Sequence, residues 1–176
     1  MHSFIDLIDM CISFTLETLK AVNERTIKEL ETSASTIYVK TLQMINLQKV
    51  ILVVGMFSLF EAILQDGLGC KNGFGEAKRI LDNEGEPELK EQFDNFILAI
   101  NVLKHGRGRS YYALVARAES LPFRIKLPGQ FFFFEGDVSE VSTLIEVDDK
   151  FVHNCANVIK DVCHVISRAR SDFLMG

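Results

Sequence analysis

The chain has 176 residues, of which 48% are hydrophobic and 24% are charged. This length and composition fit a single domain over residues 1–176 with a substantial core, and they exclude an intrinsically disordered chain. The 19 Lys and Arg residues against 24 Asp and Glu give a formal net charge of −5. This charge argues against a protein that coats duplex nucleic acid, although it allows a local basic patch.

The cysteines and the apolar segments favour a reduced, cytoplasmic protein. No CxxC pair or metal-finger spacing occurs, so we expect no disulfide, no metal site and no cofactor. Residues 1–5 lack the Lys or Arg of a signal peptide, and the apolar run 50–60 is too short to span a bilayer, so no membrane contact is predicted. Three cysteines lie in apolar helical patterns and are predicted to be buried: Cys11, Cys155 and Cys163.

Apolar residues recur at three- and four-residue steps in several segments, which is typical of amphipathic helices. The predicted helices are residues 3–31, 35–64, 76–81, 87–105 and 148–173. Within the second, residues 50–64 are apolar nearly all round, which places them at a bundle centre or in a subunit interface. The third long helix has Pro87 in its first turn and Gly106 at its end, both favoured positions for those residues.

Residues 121–135 have a different pattern, in which apolar and basic residues alternate before a Leu-Pro-Gly turn. Four consecutive Phe residues follow at 131–134. We predict a short β-hairpin here. An exposed Phe run would promote aggregation, so its second strand should lie on the protein body or in a dimer contact. The predicted fold is mainly all-α, with four principal helices and this hairpin before the last one.

One constellation of residues suits chemistry, at the end of the third long helix. Asn101 and His105 are four residues apart and therefore share a helix face. Three cationic residues surround His105 within six positions: Lys104, Arg107 and Arg109. Such a cluster suits a phosphodiester and a general acid or base near neutral pH. The alternative is structural, with the basic residues complementing the helix dipole and Gly106 ending the helix.

A helical bundle whose third long helix ends in a polar-xxx-His pattern followed by small residues resembles the HEPN superfamily. The family signature reads Arg-Asn-x-x-x-His; Asn101 and His105 match it, whereas Ile100 stands where the family has Arg. The resemblance covers the helical order across most of the chain, and its motif is short. It implies an up-down four-helix bundle and a homodimer that brings two motifs together. In many members it also implies metal-independent ribonuclease activity in toxin or antiviral defence systems.

The resemblance also implies roles for individual residues. His105 would be the catalytic acid or base, and Asn101 would orient it or the substrate. Phosphate or RNA would be held by three cations: Lys104, Arg107 and Arg109. Glu61 resembles the acidic position often seen in the second helix of the family. If Glu61 faced His105, it would raise the pKa of the imidazole and fix its orientation.

Three functions stay open at this point. The first is a ribonuclease that acts on RNA through His105. The second is a catalytically inactive HEPN-like module that binds RNA, a nucleotide or a protein partner. The third is a helical interaction protein that dimerises through its apolar second helix and its Phe-rich segment.

Overall fold

The computed structural model describes residues 4–33, 35–170 and 173. Within these residues the protein is all-α, as predicted, with six α-helices and no β-strand. The helices are α1 (Phe4–Leu30), α2 (Thr36–Leu68), α3 (Gly73–Asn83), α4 (Pro87–His105), α5 (Arg109–Val115) and α6 (Asp149–Ala169). A single 3-10 turn follows α5 at Ala118–Ser120.

Local capping explains where the long helices begin and end. The Ser35 hydroxyl accepts a backbone N–H from the first turn of α2. The Asp148 carboxylate accepts the Phe151 N–H at 2.7 Å and starts α6 in the same way. α4 begins at Pro87 and ends before Gly106, whose φ of 71° lies in the left-handed region that favours glycine. These boundaries agree with those predicted from the sequence, whereas α2 ends at Leu68 instead of residue 64 and α6 ends at Ala169 instead of residue 173.

Phe rings from α2, α4 and α6 form the centre of the core. Phe93 of α4 lies against Phe57 and Phe60 of α2, with ring centroids 6.5 and 6.1 Å apart. Phe151 of α6 lies 5.5 Å from Phe96 of α4. All five rings are buried, so these three helices share one continuous apolar core.

α1 and α2 are antiparallel neighbours. At one end of the pair the Phe4 ring stacks on Phe60 at 6.4 Å, and at the other the Tyr38 hydroxyl donates to the Glu29 carboxylate at 3.4 Å. By length and composition α2 could cross a membrane, and a third of its most apolar 18-residue stretch is buried. Core helices of soluble proteins pass the same test, so the absence of membrane contact stays a prediction.

The β-hairpin predicted over 121–135 is not found, since the described residues of this segment form no strand. Ile125 pairs instead with Ile145, in an isolated antiparallel bridge across a long connection. The alternation that suggested a strand is nevertheless real. Phe123 and Ile125 are buried, whereas Arg124 between them is exposed.

The Phe run 131–134 does not pair as a strand because a carboxylate takes two of its backbone donors. Glu140 Oε1 accepts the N–H groups of Phe133 at 2.7 Å and Phe134 at 2.8 Å. Phe133 is half-buried and the other three rings are exposed. Of the two predicted placements, the protein body therefore does not hold for three of the four residues, and a dimer contact stays a prediction.

The predicted burial of the cysteines is correct for Cys155 and Cys163, and burial raises the pKa of the Cys163 thiol to about 12. It is wrong for Cys11, which is exposed. α1 carries apolar residues on two sides, and only the side that contains Ile8 and Ile12 packs on the core.

Candidate functional site

The candidate site is the turn between α4 and α5. α4 ends at His105, where the Gly106 N–H donates to the Val102 carbonyl at 2.8 Å. Gly108 follows in an extended conformation, and α5 begins at Arg109. This short, sharp connection presents the side chains of residues 104–109 at one end of the helix pair.

The basic residues of the turn are exposed and have no ion-pair partner among the described residues. Exposed side chains belong to Lys104, His105, Arg107 and Arg109. None of the four has an ion pair or a hydrogen bond within the described residues. By contrast, ten other Lys and Arg side chains of the described chain are in ion pairs. The turn is therefore a local concentration of positive charge in an acidic protein.

Asn101 lies one turn before His105 on the same side of α4 and is half-buried. No hydrogen bond links the two side chains in the part of the chain that the structure describes. Further along this side, the Asp94 carboxylate is 2.9 Å from the Lys78 ammonium and 4.0 Å from the Arg117 guanidinium. Asp94 thus belongs to a structural ion-pair network, and the His105 imidazole has no described group that orients it.

Glu61 is not brought to His105. Phe60, its neighbour in α2, packs against Phe93 of α4. His105 is twelve residues beyond Phe93, which corresponds to about 18 Å along a helix at 1.5 Å per residue. Glu61 therefore lies at the other end of α4 from the turn, too far to orient the imidazole.

Sequence reasoning missed Tyr111, which supports the turn from below. Its hydroxyl donates to the Lys126 carbonyl at 2.8 Å, and its ring is buried. The Arg107 guanidinium lies over this ring, 6.0 Å from its centroid, within reach of a weak cation–π contact. The sequence does show an aromatic residue shortly after the basic cluster. Only the fold shows that the hydroxyl of this residue connects α5 with the following segment through a hydrogen bond.

The cavity between α2 and the segment after α5 suits a phosphate ligand less well. A cavity of about 200 Å³ between α2 and the segment 133–148 is lined by Glu140, Glu146 and Asp148, with Lys49 as its one cationic lining residue. Lys49 is already 2.7 Å from the Asp149 carboxylate. Among the described residues, no group of three or more His, Cys, Asp or Glu side chains is arranged to hold a metal ion.

Comparison with protein-family models, curated proteins and solved structures finds no significant match to this chain. The function is therefore argued from the residues of the turn. Those residues offer three unpaired cations and an exposed imidazole, which together can bind the oxygens of a phosphate group.

Proposed function

We propose that this protein is a HEPN-like helical module that binds the phosphate groups of RNA or of a nucleotide at the α4–α5 turn. The observation that carries the proposal is the exposure of three cations without described acidic partners: Lys104, Arg107 and Arg109. Such a cluster of unpaired cations in an acidic protein favours contact with an anionic ligand. The two guanidinium groups add the planar, bidentate geometry that suits phosphate oxygens.

The proposal includes an up-down four-helix bundle of α1, α2, α4 and α6. The antiparallel packing of α1 on α2 supports it, as does the contact of Phe93 with Phe57 across α4 and α2. Near the C-terminal end of α6, Arg168 pairs with Glu86 just before α4 at 3.2 Å, which suits antiparallel α4 and α6. A cytoplasmic location, a homodimer and a place in a toxin or defence system are further parts of the proposal, and they derive from the sequence and the resemblance alone.

Binding is favoured over cleavage at this site. A general acid or base must be held in a defined orientation relative to the reacting oxygen. In the described chain no side chain orients the imidazole of His105, and the signature Arg is replaced by Ile100. Ribonuclease activity through His105 and Asn101 is therefore the competing outcome of the test below.

A second candidate function has its own support. A catalytically inactive module that acts by protein–protein contact fits the apolar side chains that α1 and α2 expose away from the core, among them Phe14 and Leu59. The two functions are compatible, since this surface and the α4–α5 turn involve different residues.

The test uses purified wild-type protein and the His105→Ala variant with labelled single-stranded RNA and, separately, with a nucleoside triphosphate. Fluorescence anisotropy measures binding, and a denaturing gel measures the integrity of the RNA. We expect wild-type protein to bind and leave the RNA intact, and His105→Ala to bind almost as well because Lys104, Arg107 and Arg109 remain. RNA cleavage that is lost in His105→Ala would establish the ribonuclease instead. Binding of neither ligand at low salt would refute the proposal.

A further inference from the structure

We propose that a face formed by α1 and α2 is the surface through which two copies of this chain associate. We call it the apolar face and define it by seven exposed residues: Leu7, Met10, Phe14, Met44, Leu47, Ile51 and Leu59. This inference does not depend on phosphate binding at the α4–α5 turn, and the two proposals are tested by separate measurements.

The two helices contribute to one continuous surface because they are antiparallel. Phe4 stacks on Phe60, so Leu7 of α1 lies near the level of Leu59 of α2, and Phe14 lies near the level of Ile51. The exposed residues are three and four apart in α1 and three, four and eight apart in α2, which keeps them on one side of each helix. That side is separate from the core, which is formed by other residues of the same helices such as Ile8, Ile12, Phe57 and Phe60.

The apolar face is larger than a monomer ordinarily exposes. Phe14 is 73% exposed, Met10 is 68% exposed and Leu59 is 60% exposed. At about 100 Å² of exposed area for each residue, the seven side chains present roughly 700 Å². The largest apolar patch of a typical monomer covers about 300–600 Å². Each partner of a standard protein–protein interface buries about 800 Å², so the apolar face has the size that a stable dimer needs.

The shape of the apolar face is suited to a second copy. Gly55 lies in its middle, and a Cβ atom placed there would have no described atom within 4 Å. Large exposed side chains lie near the level of this gap, Met10 from α1 and Leu59 from α2. A two-fold axis would present the same gap and the same large side chains on both partners, so each copy can fill the other's gap. No charged residue occurs between Lys49 and Glu61 to oppose this contact.

Charge argues against a lipid surface as the occupant. Helices that lie on membranes carry Lys and Arg on their polar side, where they meet anionic lipid. The exposed charged residues of α1 and α2 carry both signs, Asp6 and Glu17 as well as Arg25, Lys28 and Lys40, and the whole chain has a net charge of −5. A second copy of the chain does not require a basic border.

The proposed dimer would keep the two α4–α5 turns apart. α4 packs on the core side of α2, where Phe93 contacts Phe57 and Phe60. The apolar face belongs to the other side of α2, so both copies of that helix would lie between the two α4 helices. Each turn would then bind its ligand independently, in contrast to a dimer that brings two HEPN motifs together.

Sedimentation equilibrium over micromolar concentrations tests this inference with wild-type protein, Phe14→Glu and Leu59→Glu. We expect a wild-type dimer and at least about a 100-fold weaker association in each variant, since a carboxylate would be buried without a partner. Phe131→Glu tests the alternative contact through the Phe run. Phe131 is 81% exposed but belongs to the segment after α5, and under the present inference this variant should remain dimeric. Circular dichroism should give the same helix content for all four proteins.

Cys11 follows Met10 in α1, and its exposed thiol gives a second readout. Its reaction with a maleimide, followed by mass spectrometry, should slow at concentrations where the wild-type protein is dimeric and recover in Phe14→Glu. A wild-type monomer would overturn the inference, as would a dimer that persists in both Glu variants or dissociates only in Phe131→Glu. Monomeric wild-type protein that floats with liposomes, unlike Phe14→Glu, would identify a membrane surface instead.

Discussion

The ammonium group of Lys126 lies 2.9 Å from Glu140 Oε2, and these side chains are only 6% and 11% exposed. Oε2 has no well-aligned hydrogen bond in the described chain, so its negative charge is balanced by the nearby positive charge of Lys126. The other carboxylate oxygen accepts the N–H groups of Phe133 and Phe134. Through Glu140, this buried ion pair connects Lys126 with the backbone of the Phe run. These contacts hold the two parts of the segment together in place of the strand pairing that a hairpin would provide.

Lys126→Met should lower the free energy of unfolding by about 3 kcal/mol, because it leaves the Glu140 carboxylate buried without its counter-ion. Chemical denaturation measures this change. Lys20→Met is the matched control, since the Lys20–Glu24 pair spans 4.0 Å between side chains that are mostly exposed. Its loss should cost less than about 0.5 kcal/mol. Equal effects of the two substitutions would show that the Lys126 pair is not buried in solution.

The stability contributed by Glu140 should fall with acid. Burial by itself would raise the pKa of this carboxyl, but the Phe134 N–H, Lys126 and the Phe133 N–H together hold the pKa below its ordinary value of 4.5. A lowered pKa stabilises the fold above the unfolded-chain value, and this contribution is lost as the pH falls through the folded value. Glu140→Gln should therefore be less stable than wild type at pH 7, and the difference should shrink below about pH 4.5.

Glu146 provides the control of opposite sign, because burial raises the pKa of its carboxyl. A raised pKa means that protonation favours the folded state, so the fold gains stability from this group as the pH falls. Any advantage of Glu146→Gln at pH 7 should therefore decrease in acid. Urea denaturation at several pH values distinguishes the two trends. Parallel trends for the two variants would contradict the proposed environments.

Gly73 lets α3 approach α2 closely, and Gly73→Ala should destabilise the fold by about 1–3 kcal/mol. A Cβ atom at this position would lie 2.8 Å from the Glu61 carbonyl oxygen and 2.8 Å from the Leu64 Cβ. Backbone cannot move aside as a flexible side chain does. Gly108→Ala is the control, because its backbone is extended and no described atom would lie within 4 Å of the new Cβ. Thermal unfolding of both variants checks the difference, which similar midpoints would disprove.

The helices were predictable because their signals are local. Apolar spacing identified α1 to within a residue or so, and Pro87 and Gly106 marked the ends of α4. α3 begins at Gly73, earlier than predicted, because the Asn72 side chain accepts the Gly75 N–H at 2.9 Å. α5 was missed, since its seven residues are too few to show a clear period.

The remaining features depend on contacts between distant residues. The alternation around Ile125 indicated an extended segment, but nothing in it identified Ile145 as the pairing residue. Lys126 is one of the basic residues that alternate with apolar ones, a position that suggests exposure. It is buried instead, because the Glu140 carboxylate balances its charge. The apolar character of α1 did not show which side faces the core, so Cys11 was assigned to the wrong side.

The candidate site was predictable only in part, because some of its features are local in the sequence and others depend on the fold. Residues 104–109 are adjacent in the chain, so a local cluster of charge was certain once the helix end was identified. Whether acidic residues neutralise that cluster depends on the fold, as does the position of Glu61 along α4. Tyr111 likewise supports the turn through a hydrogen bond to Lys126, which belongs to a different segment.

Binding of labelled single-stranded RNA by two charge-matched triple variants tests the central claim most directly. One replaces the cations of the turn with alanine, at Lys104, Arg107 and Arg109. The other replaces three exposed cations without ion pairs in the described chain, at Arg25, Lys28 and Lys40. Each lowers the formal net charge by three. The turn variant should lose at least about tenfold in affinity, and the slope of log K against log salt should decrease in magnitude by about 2. The second variant should bind nearly as wild type does, and equal losses in both would contradict a binding site at the α4–α5 turn.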